Sequence, residues 1–350
     1  MVIKINEAGN NRMNNKEITL AHGSGGRAMQ SLIESLFLAA FSNPALNERE
    51  DQARIALADL VAQGDRLAIS TDSYVIDPIF FPGGDIGKLA VCGTANDVAV
   101  SGATPRYLSC GFILEEGLPM ASLERIVQSM AATAQQAGIQ IVTGDTKVVQ
   151  RGAADKIFIN TTGIGVIPAA IQWGTAMIRA GDRIIVSGTL GDHGATILNL
   201  REGLGLEAEL ISDCALLAPL IAPLRAIAGV RALRDATRGG VTAILHEFAA
   251  ASGCGMEINE PDLPLKPAVR GICELLGLDA LNFANEGKLV LVVSPEAQEA
   301  VLAALRSHPL GQDAAVIGQV TERQQVRLCG AFGVSRRLDL PLDEPLPRIC

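Results

Sequence analysis

The sequence predicts an α/β protein of two domains followed by a short tail. Strand-like apolar runs alternate with helix-periodic segments along the whole chain. At 350 residues the chain is too long for one typical core. An apolar content of 48% with only 3% aromatics implies well-buried cores built of Ala, Val, Ile and Leu.

The elements follow in order. Residues 1–17 are polar and Asn-rich, lack the apolar centre of a signal peptide, and read as a disordered extension. Residues 26–41 follow a glycine loop and carry Met29, Leu32, Ile33, Leu36, Phe37 and Ala40 at helical spacing. Residues 66–71 read as a strand running into Asp72. Residues 86–101 read as a helix, 107–114 as a strand, 121–137 as a helix, 139–143 as a strand and 156–166 as another. A break at 167–179 holds Pro168 and the single tryptophan, Trp173, which places a domain boundary near 170. The first domain is then 18–170 and the second, 171–337, is again α/β. In the second, strands are expected at 182–187, 232–235, 288–293 and 314–320, and helices at 214–227, 241–251 and 295–307. Residues 338–350 form a tail in which Pro341, Pro345 and Pro347 block a helix. Extended, its last twelve residues reach roughly 35–40 Å at about 3.1 Å per residue. That length is enough to swing the terminal thiol of Cys350 between a site and the surface.

Composition excludes several classes. The net charge of −9 and the lack of Lys/Arg clusters argue against a nucleic-acid surface. No run of eighteen apolar residues suggests a membrane span. Seven cysteines without any close pair argue against structural zinc and for a reduced, cytoplasmic protein. Cys92, Cys110, Cys214, Cys254 and Cys273 read as small buried hydrophobes.

Six segments carry candidate chemistry. His22-Gly23-Ser24-Gly25-Gly26 precedes a helix, so its amides suit an anion, although a capped turn reads the same way. Asp72 sits at a strand end, where a carboxylate holds a metal or closes an Asx turn. Asn96 and Asp97 lie inside an apolar helix, where polar groups are costly unless they bind something. Gly144-Asp145-Thr146-Lys147 offers a carboxylate, a hydroxyl and an ammonium after a strand. Arg234-Asp235-Ala236-Thr237-Arg238-Gly239-Gly240 and Asn282-Phe283-Ala284-Asn285-Glu286-Gly287-Lys288 lie at further junctions. Several acidic turns without a Walker loop suggest ATP held through metal-bridging aspartates.

Together these segments resemble the ATP-binding superfamily of aminoimidazole ribonucleotide synthetase and selenophosphate synthetase. Within it they are similar to the carbamoyl dehydratases of NiFe-hydrogenase maturation, whose signature matches the ending Pro347-Arg348-Ile349-Cys350. The resemblance covers residues 18–350. It implies a PurM-like α/β fold of two domains, a homodimer whose N-terminal sheets pair into a barrel, and ATP with Mg²⁺ as cofactors. It implies Asp72, Asp97 and Asp235 as metal ligands, and His22, Gly23, Ser24, Gly25, Gly26, Asn96 and Asp145 at the nucleotide. Cys350, Lys147, Glu286 and Arg238 would be catalytic, with Glu286 as the base and Arg348 offsetting the terminal carboxylate beside the thiol. The implied partners are the carbamoyltransferase HypF, which loads Cys350, and an iron-carrying HypC–HypD complex that receives cyanide. Two other readings stay open on the residues alone. A small-molecule kinase of the same superfamily would not need Cys350, and a scaffold would not turn over ATP.

Overall fold

The computed structural model describes residues 16–206, 210–341 and 348–350. Most of the expected N-terminal extension, and residues 342–347 of the tail, lie outside the described residues.

The first sheet has four strands: β1 (Arg66–Tyr74), β4 (Thr104–Glu115), β5 (Gln140–Val149) and β6 (Ile157–Ile167), in the order β1-β6-β4-β5. Strands β1 and β4 run antiparallel to β6, and β5 runs parallel to β4. A small hairpin, β2 (Phe80–Phe81) with β3 (Gly84–Asp85), leads into the helix Ile86–Val100. Asp85 starts that helix by accepting hydrogen bonds from Gly87 N and Lys88 N at 2.8 and 3.1 Å. The helix is apolar almost all round because it is buried almost all round. It is pinned to the sheet by hydroxyls. Tyr74 Oη meets Thr94 Oγ1 at 3.0 Å, Thr94 meets Thr161 at 2.6 Å, and Thr161 donates to Ala90 O at 3.0 Å. Helix Met120–Ala137 packs beside it through an apolar face containing Leu123, Ile126, Val127 and Met130.

The second sheet has seven strands: β7 (Arg183–Val186), β8 (Val230–Asp235), β9 (Gly255–Asn259), β10 (Leu289–Val293), β11 (Ala315–Thr321), β12 (Val326–Cys329) and β13 (Ser335–Arg337). Their order is β13-β12-β9-β11-β7-β10-β8. The central strands β7 and β10 are buried on both faces, as their unbroken Ile/Leu/Val runs require. Helices Gly240–Ser252 and Gln298–Arg306 pack on this sheet, while helices Asp192–Glu202 and Pro267–Leu276 bury their apolar side chains in a core shared with the first domain.

Several elements depart from the sequence reading. Strand β5 runs on through Asp145 and Lys147 instead of ending before them. As an edge strand it tolerates polar side chains facing solvent. Gly144 is there for close approach, since a Cβ would lie 2.4 Å from Cys110 O. The helix expected over 214–227 begins only at Ala218, and the chain from 210 to 217 is irregular. Its backbone groups are taken up by Asn96, Glu286 and Pro82 rather than by a helical turn. Helices Asp192–Glu202 and Pro267–Leu276 and strands β9, β12 and β13 are additions. Cys92, Cys110, Cys214 and Cys273 are buried as expected, while Cys254 is only half-buried.

Candidate active site

The end of the chain returns to the first domain and is held there. Cys350 O accepts a hydrogen bond from Val75 N at 3.1 Å, and Arg348 O accepts from Asp77 N at 3.4 Å and from the Arg201 guanidinium. Arg348 pairs with Asp155 at 2.5 Å and donates from Nε to Val75 O at 3.2 Å. The Ile349 carbonyl lies 2.8 Å from His193 Nε2. Ile349 and Cys350 are 2% and 6% exposed and belong to a core built from residues of both domains. Arg348 adopts φ 57°, a left-handed conformation that costs a non-glycine residue about 1–3 kcal/mol. Residues 348–350 are therefore docked, with Arg348 in a strained conformation.

The thiol of Cys350 faces a guanidinium and a carboxyl. Arg238 Nη2 donates toward Cys350 Sγ at 3.8 Å. Burial, reinforced by the nearby Glu286 carboxyl, pushes the thiol up to about 12, and Arg238 offsets only part of this. Glu286 is itself buried, and its Oε1 has no hydrogen-bond partner among the described residues. Burial, then the charges of Asp213, Asp235 and Asp72, hold its carboxyl well above the usual range. Asp213 orders the Glu286 main chain by accepting its N–H at 3.0 Å, and forms a buried ion pair with Lys288 at 3.3 Å. Gly287 makes this contact possible, because a Cβ there would lie 1.9 Å from Asp213 O.

An acidic face lies beside these groups. Asp97 accepts from Ser70 Oγ at 2.7 Å and shares a hydrogen bond with Asp235. Burial raises Asp97, and burial with the Asp97 charge pushes Asp235 up to about 8. Asp72 acts electrostatically on both, and also on Glu286 and Cys350. Among the described residues no three His, Cys, Asp or Glu side chains converge closely enough to enclose a metal ion. Asp72, Asp97 and Asp235 are thus neighbours rather than a closed cage. The donor set nonetheless fits a hard divalent ion: all carboxylate oxygens, raised proton affinity at Asp97 and Asp235, and a buried Asp235 Oδ2 lacking a partner among the described residues.

The glycine loop forms a second region. Gly23 packs so tightly on β5 that a Cβ would sit 2.9 Å from Val148. His22 Nδ1 accepts from Thr19 N at 3.0 Å, which leaves Nε2 as a buried donor without a partner among the described residues. Between the following helical segment and the sheet lies a cavity of about 140 Å³, lined by Met29, Ile33, Phe37, Phe112, Thr143 and Asp145 among others. On the same strand Lys147 Nζ pairs with Asp145 Oδ2 at 2.9 Å, and this exposed pair holds Asp145 below the usual carboxylate range.

Residues 49–167 match the family model "AIR synthase related protein, N-terminal domain", and residues 179–329 match that of the C-terminal domain. The chain is 74% identical over 338 residues to the carbamoyl dehydratase HypE of Escherichia coli (strain K12), covering 97% of this chain and 100% of that one. The chain belongs to the HypE family. A HypE crystallised in complex with ATP superposes at a TM-score of 0.90 with 50% identity, covering 95% of this chain and 99% of the other. A chain of a HypE–HypF complex superposes at 0.77 with 44% identity, covering 89% of this chain and 100% of the other. The fold is that of the PurM superfamily, as the resemblance implied.

Measured against the residues expected in a HypE, Cys350, Arg238, Glu286 and Asp72 come together, with Asp97 and Asp235 adjoining. Lys147 does not join them; it pairs with Asp145 beside the glycine-loop cavity. Asn96, expected at the nucleotide, instead donates to Ala215 O at 2.9 Å and accepts from Leu217 N at 2.8 Å, so its amide anchors the segment after residue 210. Arg348 serves the docking of the tail, and Arg238 is the guanidinium at the thiol. His193, Ser212 and Asp213 escaped the sequence reading. The one signal for His193 is Gly191-Asp192-His193-Gly194, another acidic glycine turn after a buried strand. Ser212 and Asp213 carry no local signal, because their partners are remote in sequence.

Proposed function

We propose that this protein uses ATP to dehydrate a carbamoyl group carried on Cys350, giving a thiocyanate that donates cyanide to the iron of a NiFe-hydrogenase. The observation that carries this reading is the docked C-terminal thiol itself, 3.8 Å from Arg238 and within the field of Glu286. The family's printed activity, carbamoyl dehydratase, and the ATP-bound relative support it.

The chemistry follows from the groups present. A thiocarboxamide, S–C(=O)–NH₂, cannot lose hydroxide readily. Transfer of the γ-phosphoryl group of ATP to its oxygen, with loss of one N–H proton, gives S–C(OPO₃²⁻)=NH and ADP. Departure of phosphate and of the second proton then gives S–C≡N. Arg238 stands where charge grows on the oxygen. Glu286 takes protons from nitrogen, and Asp213 fixes its backbone. Glu286 is held protonated by burial and its acidic neighbours, so its use as a base requires relief of their charge. A divalent cation held by Asp72, Asp97 and Asp235 would supply that relief and neutralise the phosphoryl oxygens. Asp145 lines the cavity that we assign to the nucleotide, and its partner Lys147 is assigned to the transferring phosphate, with His22 and the glycine loop assigned to cover the phosphates.

The first sheet supports the implied homodimer. Leu67 and Ile69 of β1 and Ile113 of β4 are 51%, 64% and 42% exposed, an apolar face suited to pairing with a second copy. HypF is assigned as the source of the carbamoyl group, on the strength of the HypE–HypF complex, and a HypC–HypD complex as the acceptor, on the family resemblance alone. The test is phosphate release in single turnover with Mg-ATP, carbamoyl phosphate and the carbamoyltransferase. One phosphate per loaded chain, counted beyond that released by the loading reaction and absent in Cys350→Ala, is expected. Equal release by Cys350→Ala would overturn the reading in favour of a free-substrate kinase.

A further inference from the structure

We propose that His193 and Ser212 are a latch that positions the tail, and that the segment carrying Ser212 links tail docking to Glu286. The inference rests on the assignment of Cys350 as the reacting thiol. Its geometry is a directed chain of hydrogen bonds. A carbonyl only accepts, so the 2.8 Å contact to Ile349 O makes His193 Nε2 the protonated nitrogen. Nδ1 is then the acceptor for the Ser212 hydroxyl at 2.7 Å, and Ser212 Oγ in turn accepts the Cys214 N–H at 3.1 Å. Every donor and acceptor is used once and the imidazole is neutral, which suits a side chain with no exposed surface.

The next residue along is Asp213, whose Oδ1 receives Glu286 N–H. Two residues further, Ala215 N donates to Glu286 O at 3.3 Å. The main chain of Glu286 is thus gripped from both sides by the strap that holds the latch. The strap is moored at its ends, by Ser212 N to Pro82 O at 2.9 Å and by Asn96 to Ala215 and Leu217. Cys214 lies on it as well and hydrogen-bonds with Cys92, which together with burial raises the Cys214 thiol. His193 and Ser212 do not touch the reacting atoms. They act through the tail and through Asp213, as positioning residues.

The experiment compares His193→Ala, Ser212→Ala and His193→Gln with the natural chain. Gln can still donate to the Ile349 carbonyl. The first readout is the rate of iodoacetamide alkylation of Cys350 at pH 7, read by peptide mass spectrometry, which needs neither ATP nor a partner. Loss of the buried hydrogen bond is expected to speed alkylation roughly fivefold to tenfold in His193→Ala, less in Ser212→Ala, and to be largely reversed in His193→Gln. The second readout separates the half-reactions. Carbamoyl loading is expected to be equal or faster, and dehydration slower by a similar factor. Unchanged alkylation in both alanine variants would overturn the latch. So would a parallel loss of both half-reactions that Gln does not rescue, since that marks a residue of the fold alone. If the natural chain shows no dehydration while alkylation follows the expected pattern, the proposed reaction fails and the latch stands.

Discussion

Docking should make Cys350 chemically silent, and the size of the effect follows from its surroundings. Its thiol is pushed up to about 12 when docked. A free tail thiol titrates near ~8.5, so at pH 8 the docked thiolate fraction is about 2,000-fold smaller. On the proposed reaction, loading would then take place with the tail released. The perturbation is pH itself. A thiol whose docked value is raised contributes docking free energy that is fully present below the free value and lost as pH rises toward the docked one. At pH 10 about 2 kcal/mol of docking should be lost, close to a 30-fold fall in the docked-to-free ratio. The assay is alkylation of Cys350 relative to a free peptide ending Leu-Pro-Arg-Ile-Cys, measured from pH 7 to pH 10. Protection should be flat to about pH 8 and fall roughly 30-fold by pH 10. No protection at pH 7, or protection unchanged at pH 10, would refute the placement of the thiol in a buried site beside Glu286.

Four further outcomes follow. Glu286→Gln should retain nucleotide binding, measured by calorimetry, while cyanation falls by at least roughly 100-fold; an unchanged thiocyanate yield would remove Glu286 from the base role. Gly287→Ala should cost about 1–3 kcal/mol in denaturant titration, because its Cβ has no room against the Asp213 carbonyl, and should slow dehydration more than loading. In metal-free buffer, stability should rise as pH falls from about 8 toward 4, since Asp235 carries a raised value near 8 in the folded state. Saturating Mg²⁺ should flatten that dependence, and an unchanged slope would argue against the aspartates as its ligands. Ile69→Glu should shift sedimentation toward the monomer if the exposed face of β1 is the pairing surface.

Much of this was legible in the sequence because the chemistry sits at junctions between elements. Asp235 ends and Glu286 precedes a buried strand, and polar residues at such places stand out against apolar runs, whereas β1 runs on through Asp72 to Tyr74 instead of ending before it. Asp97 stood out for the related reason that it interrupts an apolar helix. The reading of Gly144-Asp145-Thr146-Lys147 as a turn misjudged an edge strand, where glycine serves close packing rather than reversal. The segment 210–217 misled through its composition: its Leu and Ala content suits a helix, but its backbone is committed to Asn96 and Glu286, each some seventy residues or more away in sequence. His193 was hidden for the same reason. Its partners are Ser212 and the last turn of the tail, and no local pattern reports a contact spanning 156 residues.

The central claim is that Cys350 carries the group that is dehydrated. The most direct measurement is the intact mass of the protein after incubation with carbamoyl phosphate, the carbamoyltransferase and Mg-ATP. Loading adds about 43 Da and dehydration removes about 18, so the account predicts a gain of about 25 Da, confined to the C-terminal peptide and absent in Cys350→Ala. A mass that stops at the carbamoyl adduct with ATP present, or the same gain in Cys350→Ala, would contradict it.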